Sequence, residues 1–131
     1  MAKHEGLRKH ESAVLTQIRT GMIGLKAFLF WRKVPDAMTP LCRCGREPET
    51  VDHILLRCGI LEEQRTRLRA ALIHLGQPLH TRRDLAAATE RAPTARIVVR
   101  WLLETGRLVE FRLAERLARA QKAPSADADA A

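Results

Sequence analysis

The chain has 131 residues, of which 46% are hydrophobic, and its 23 Lys and Arg outnumber 15 Asp and Glu to give a formal net charge of +8. That length fits one domain with a modest core, and the basic balance favours polyanions such as nucleic acid or an anionic membrane surface. The longest apolar run, Phe28-Leu29-Phe30-Trp31, is far too short to span a bilayer, so no membrane anchor is expected.

With only three Phe, two Trp and no Tyr, the core must come from Leu, Ile, Val and Ala, which favours helices. Met1 to His10 is polar and lacks the apolar stretch of a signal peptide. The cysteine count is three, so no disulfide framework closes, and the expected setting is a reducing one, nucleus or cytoplasm.

The spacing predicts an all-α fold of five or six helices. A first helix over 6–20 places Leu7, Val14, Leu15 and Ile18 on one face, with Glu11, Gln17 and Arg19 off it. Gly21 and Gly24 interrupt it, and a short apolar helix over 25–33 runs until Pro35. The stretch 34–49 holds Pro35, Pro40, Gly45 and Pro48 and reads as loop. Thr50 is a suitable N-cap for a helix over 51–57.

Beyond Gly59, a stronger helix over about 60–75 carries Leu61, Leu68, Leu72 and Leu75 as its buried stripe, with Gly76 at its end. Thr81 and Asp84 form a capping box opening a helix over 82–90. Pro93 begins a last helix over 94–121, kinked at Gly106, with Ile97, Val98, Trp101, Leu102, Leu108, Val109 and Leu113 at helical spacing. Lys122 to Ala131 has the composition of a disordered tail. The resulting organisation is a helical pair over 1–35, a knuckle over 36–59, C-terminal helices over 60–121 and a tail over 122–131.

The sharpest chemical signal lies inside the knuckle. Cys42, Cys44, His53 and Cys58 form a C-x-C-x8-H-x4-C set that uses every cysteine in the chain. It has the number and type of ligands that one tetrahedral Zn²⁺ takes. Gly45 eases the tight turn after Cys44, because a glycine adopts positive φ without a Cβ clash. On an unbroken helix His53 and Cys58 would diverge by about 140°, so the helix must end near Arg57 for both to face one ion. Four protein ligands leave no open position for an activated water, which makes the expected role structural rather than catalytic.

The run Leu7-Arg8-Lys9, Arg19-Thr20-Gly21 and Leu25, followed by Cys42-Arg43-Cys44-Gly45, Glu49-Thr50, His53 and Cys58, resembles the C-terminal end of non-LTR, LINE-like retrotransposon polyproteins. The likeness is greatest to the Tad-like elements of filamentous fungi and covers about residues 5–70. In that family a CCHC zinc region follows reverse transcriptase and ribonuclease H domains. The resemblance implies zinc ligation by Cys42, Cys44, His53 and Cys58. It also implies handling of RNA or DNA, and a polymerase or ribonuclease H domain as a partner. No acidic catalytic cluster precedes the knuckle, so this chain is not expected to be an enzyme by itself. The competing expectation is a zinc-stabilised protein-interaction module or a non-functional domesticated fragment.

Residues 36–75, the knuckle with the helix after it, are neutral with six basic and six acidic residues, so the net positive charge lies in the flanks. The candidate phosphate contacts come from the flanks and from that helix. These are Arg32, Lys33, Arg65, Arg69, Arg82, Arg83, Arg96, Arg100 and Arg107. Each has a plainer reading. Arg65, Arg67 and Arg69 could pair with Glu62 and Glu63 on a solvated face. Arg96, Arg100 and Arg107, with Arg112, Arg116 and Arg119, form a ridge interleaved by Glu104, Glu110 and Glu115, a pattern typical of solvated helices. Trp31 beside Arg32 and Lys33 could stack a base, although a Trp next to Phe28 and Leu29 reads more simply as core. His4, His10, His74 and His80 lack ligand partners at useful spacing and read as surface residues.

Overall fold

The computed structural model describes residues 2–35 and 37–108. Among them are six α-helices: α1 (Lys9–Thr20), α2 (Lys26–Trp31), α3 (Val51–Leu56), α4 (Glu62–Ile73), α5 (Arg82–Ala88) and α6 (Ala92–Glu104). Short 3-10 turns at Ala2–His4 and Gly59–Leu61 complete the secondary structure, and the only β-type pairing among the described residues is an isolated bridge between Leu41 and Pro48. The fold is helical, as the composition implies.

α6 is the central element. It packs against α1, α4 and α5, burying Ala95, Val98, Val99 and Leu102 completely. α1 meets it through Val14, Leu15 and Ile18, and α4 through Leu68 and Leu72. Ile54 and Leu55 of α3 enter the same cluster, so the knuckle and the helices share one core. Truncating a side chain such as Leu102 to Ala would cost about 2–5 kcal/mol. Trp101 is also buried, and its indole N–H donates to Gln64 O at 3.1 Å, tying α6 to α4.

Several sequence expectations need correction. α6 ends at Glu104 rather than running to 121, because the chain turns at Thr105 and Gly106 takes φ 71, a left-handed conformation that breaks the helix rather than kinking it. Arg96, Arg100 and Arg107 therefore do not share one continuous stripe. Val109, Leu113, Arg112, Arg116, Arg119 and the tail over 122–131 lie outside the described residues.

Leu75 is exposed rather than buried, since α4 stops at Ile73 and the turn that follows swings it outward. Trp31 is 61% exposed, not core, because α2 is only six residues long and turns just Ala27 fully inward. Glu11 is buried rather than off the packed face. It closes the start of α1 by accepting the Arg8 backbone N–H at 2.8 Å, then meets Arg100 of α6 at 3.0 Å.

Candidate metal centre

The knuckle is organised by its backbone before any ligand is considered. Glu49 N–H donates to Pro40 O at 2.8 Å and Cys42 N–H to Glu47 O at 2.9 Å, closing a miniature hairpin. At its tip Gly45 N–H returns to Cys42 O at 2.9 Å, with Gly45 at φ 75 as its position after Cys44 requires. That turn delivers Cys42 and Cys44 to one side. Thr50 then caps α3 by accepting the His53 N–H at 3.2 Å, which places the imidazole in the first turn of the helix. α3 stops at Leu56, and both Arg57 and Cys58 N–H groups fold back onto His53 O. Cys58 thereby leaves the helical path and faces the imidazole, the geometry the five-residue separation demands.

The four ligand atoms of Cys42, Cys44, His53 and Cys58 all lie within 4.8 Å of one another and could hold one metal ion. Cys42 Sγ and Cys58 Sγ are 3.7 Å apart, and Cys44 Sγ lies 3.3 Å from His53 Nε2. Cys42, His53 and Cys58 are buried, and Cys44 is partly covered.

The surroundings act on two of the sulfurs in opposite directions. The Arg46 backbone N–H, aided by that of Glu47, holds the Cys44 thiol below its ordinary pKa. Burial pushes Cys58 up despite N–H groups of Ile60 and Leu61 directed at its sulfur. Desolvation keeps the His53 imidazole below the usual histidine range, hence neutral and able to offer Nε2. On its other side Nδ1 lies 3.3 Å from Glu47 Oε2, close enough for attraction but too misaligned for a hydrogen bond, so Nδ1 has no hydrogen-bond partner. Glu47 is fixed in turn by Arg57 Nε at 3.0 Å. A carboxylate behind a ligating imidazole is the usual outer support of such centres.

Glu49 and Arg107 form a fully buried pair beside the cluster, at 2.9 Å. Arg107 Nη1 also approaches Cys42 Sγ at 3.5 Å, supplying positive charge where thiolates gather. The second Glu49 oxygen accepts the Lys26 N–H at 2.9 Å, and its carbonyl accepts Ala27 N–H at 3.3 Å. One side chain thus joins the knuckle, the start of α2 and the chain following α6. Sequence reasoning missed it: Glu49 sits in a stretch read as loop, and its partner lies 58 positions away.

Most of the candidate phosphate contacts are engaged inside the protein. Arg65 is 2% exposed and donates through Nη2 to Cys58 O at 2.7 Å and Ile54 O at 3.0 Å. Arg69 donates to Leu79 O at 2.9 Å and Leu56 O at 3.3 Å. These guanidiniums from α4 satisfy the last carbonyls of α3, where the helix dipole also favours a cation. They are neither on a solvated face nor available to phosphate; only Arg67 makes the expected i,i+4 pair, with Glu63 at 3.3 Å. Arg96 and Arg100 reach across to Glu5 O and Gly6 O, anchoring the N-terminal segment, and Arg107 is buried as described. Arg82 is outward but pairs with Asp52 at 2.7 Å.

A different basic surface remains. Arg32, Lys33 and Arg83 are exposed, and the knuckle tip adds exposed Arg43 and Arg46, which sequence reasoning passed over because the segment as a whole is neutral. Among the described residues no carboxylate pairs with Lys26, Arg32, Lys33, Arg43 or Arg46. Lys26 and Arg43 border the same small hollow beside Leu29, and Phe30 and Trp31 are exposed on α2. Arg32 lies over the Phe28 ring at 5.9 Å. Among the described residues no helix is long and apolar enough to cross a membrane. Compared with protein-family models, curated proteins and solved structures, the chain matches none.

Proposed function

We propose that this chain is a nucleic-acid-binding module clamped by one structural zinc ion, not catalytic by itself and related to the C-terminal region of retrotransposon polyproteins. The observation that carries the binding reading is the set of cations on α2, just after it and at the knuckle tip, Lys26, Arg32, Lys33, Arg43 and Arg46, which pair with no carboxylate among the described residues, together with the exposed Phe30 and Trp31 of α2. Cations beside aromatic rings suit single strands, whose phosphates meet the charges while unpaired bases stack. Arg65, Arg69, Arg96, Arg100 and Arg107 drop out of the binding surface, since each holds an internal acceptor.

Zinc is favoured by the donor set and its edges. A tetrahedral zinc with Zn–S bonds of about 2.3 Å separates two sulfurs by about 3.8 Å and a sulfur from an imidazole nitrogen by about 3.5 Å. Two of the six separations in the quartet, 3.7 Å and 3.3 Å, fit those edges, and all lie within 4.8 Å. Three thiolates and one imidazole complete the sphere, so zinc here would hold the hairpin to the end of α3 and present no site for substrate.

The test is metal analysis of purified protein followed by salt titration of RNA and single-stranded DNA binding. One zinc per chain is expected, with a log–log salt slope of roughly −3 for four or five phosphate contacts. Zinc-loaded protein that binds no nucleic acid even at low salt would refute the reading. A protein-interaction role is the second reading, favoured by the exposed apolar side chains of Met38, at 84%, and Ile60, at 53%.

A further inference from the structure

We infer that the cleft bounded by α1, α2, α3 and α5 is a pocket for an unstacked nucleobase, with its phosphates held at the mouth. The inference rests on the nucleic-acid reading above and names where a base would enter. The cleft has a volume of about 510 Å³, within the range of roughly 300–1,000 Å³ typical of small-ligand sites. Its walls are apolar on three sides, from Ile18 of α1, Phe28 and Trp31 of α2, and Leu85 and Ala86 of α5.

The aromatic wall is accessible. Trp31 is 61% exposed on a protein whose other tryptophan is buried, and Phe28 is only partly covered. A large ring left in solvent at the lip of an apolar cleft suits an aromatic ligand, because stacking removes both faces from water. Thr20 and Thr50 border the same space, and their hydroxyls can address the polar edge of a base. The Thr89 hydroxyl, by contrast, is buried and bonded to Leu85 O, Ala86 O and Arg19.

Charge at the mouth selects among aromatic ligands. Arg19 and Arg82 line the cleft with Asp52 and the buried Glu49, Arg82 pairing with Asp52 at 2.7 Å and Arg19 with Glu90 at 3.7 Å, and Arg32 sits over Phe28. Exposed Lys33 and Arg83 follow Arg32 and Arg82 in the sequence and add positive charge to the same two segments. Arg82 is 85% exposed and gives Asp52 only its Nε and one terminal nitrogen, so further N–H donors face solvent. Arg19 is held at the cleft by Thr89 Oγ1 at 3.1 Å and by Glu90 at 3.7 Å. An apolar peptide side chain would use the walls but leave the outward N–H donors of Arg82 to water. A nucleotide uses both. The strand must be single, because a base stacked and paired in a duplex does not reach into a cleft.

The test uses the full, zinc-loaded chain with three probes of equal length: a single strand, the same strand with abasic sugars, and a duplex. The base-bearing strand is expected to bind roughly tenfold tighter than the abasic strand, the effect of one stacked base, and to quench Trp31 fluorescence. Ala86→Phe fills the cleft from an exposed helix position. It should bring the base-bearing strand down to the abasic affinity while leaving the abasic strand unchanged. Trp31→Phe should keep the preference but lose the quench, and Trp31→Ala should lose both. Equal affinity for base-bearing and abasic strands overturns the pocket while leaving the nucleic-acid reading standing. No binding of any probe overturns both.

Discussion

Helices α4 and α2 flank the knuckle and both carry basic side chains, but those side chains have opposite fates. On α4, Arg65 and Arg69 turn inward and bond the carbonyls of Ile54, Leu56 and Cys58. On α2 and in the residues just after it, Lys26, Arg32 and Lys33 find no carboxylate among the described residues, and the aromatic neighbours Phe30 and Trp31 stay exposed. The difference lies in what each helix faces. α4 packs beside the open C-terminal end of α3, where unsatisfied carbonyls draw guanidiniums into a buried position. α2 begins on Glu49, which accepts the N–H groups of its first two residues, and beyond the buried Ala27 its last residues, Phe30 and Trp31, are exposed.

The largest test of this contrast is removal of the metal proposed for the cluster of Cys42, Cys44, His53 and Cys58. The carbonyls that α4 braces belong to the segment carrying His53 and Cys58, so the inward arginines depend on the clamp. Structural zinc contributes apparent binding free energy on the order of 10 kcal/mol, comparable to the whole stability of a small domain. Chelation, or Cys58→Ser, is therefore expected to abolish cooperative thermal unfolding followed by circular dichroism. An unchanged melt in chelator would show that the α4 brace stands without the metal and break the comparison.

Next in size is the brace itself. Arg65→Met keeps most of the side-chain volume but leaves Cys58 O and Ile54 O unpaired in the interior. The expected loss is about 2–4 kcal/mol by denaturant titration, with the salt slope of nucleic-acid binding unchanged. A flattened slope with native stability would return Arg65 to the binding surface.

The α4 result also shows where sequence reasoning stopped. The helical class, the Thr50 cap, the Thr81–Asp84 capping box and the need for α3 to end before Cys58 follow from local rules, because each concerns residues a few positions apart. The ligand quartet was legible for the same reason, its members falling within seventeen positions. The inward arginines were not. A helical wheel places Arg65 and Arg69 on one face without saying which neighbour that face meets, and free α3 carbonyls are invisible before α4 docks. Glu11 with Arg100 and Glu49 with Arg107 lie 89 and 58 positions apart. No periodicity reports such pairs.

Glu11 extends the contrast to α6, whose Arg100 also turns inward. Burial works against the Glu11 charge, but the Arg100 hydrogen bond, the Arg8 N–H and the nearby charges of Arg100 and His10 outweigh it and lower the pKa. A carboxylate with a depressed folded-state pKa stabilises fully above its ordinary range, about pH 4–5, and loses that contribution as pH falls through the lowered value. Glu11→Gln should therefore cost about 1–2 kcal/mol at pH 7 and progressively less toward pH 3. Equal losses at both pH values would mean the pair contributes packing alone.

The smallest expected stability change belongs to the outward set and separates the two helices most cleanly. Lys33 holds φ 60, a left-handed conformation that a lysine adopts at some cost and an asparagine tolerates better. Lys33→Asn removes the charge without straining the turn, so stability should stay within about 0.5 kcal/mol of the parent. Binding should nevertheless weaken, with the single-strand salt slope flatter by about 0.7, the signature of one lost phosphate contact. The same substitution thus distinguishes two reasons for an unpaired cation at this turn. If affinity and slope do not move, Lys33 keeps the loop soluble and no more, and the binding face narrows to Lys26, Arg32 and the knuckle tip. If they move while the melt does not, charge at this position serves a partner rather than the fold, the reverse of what Arg65→Met should show on α4.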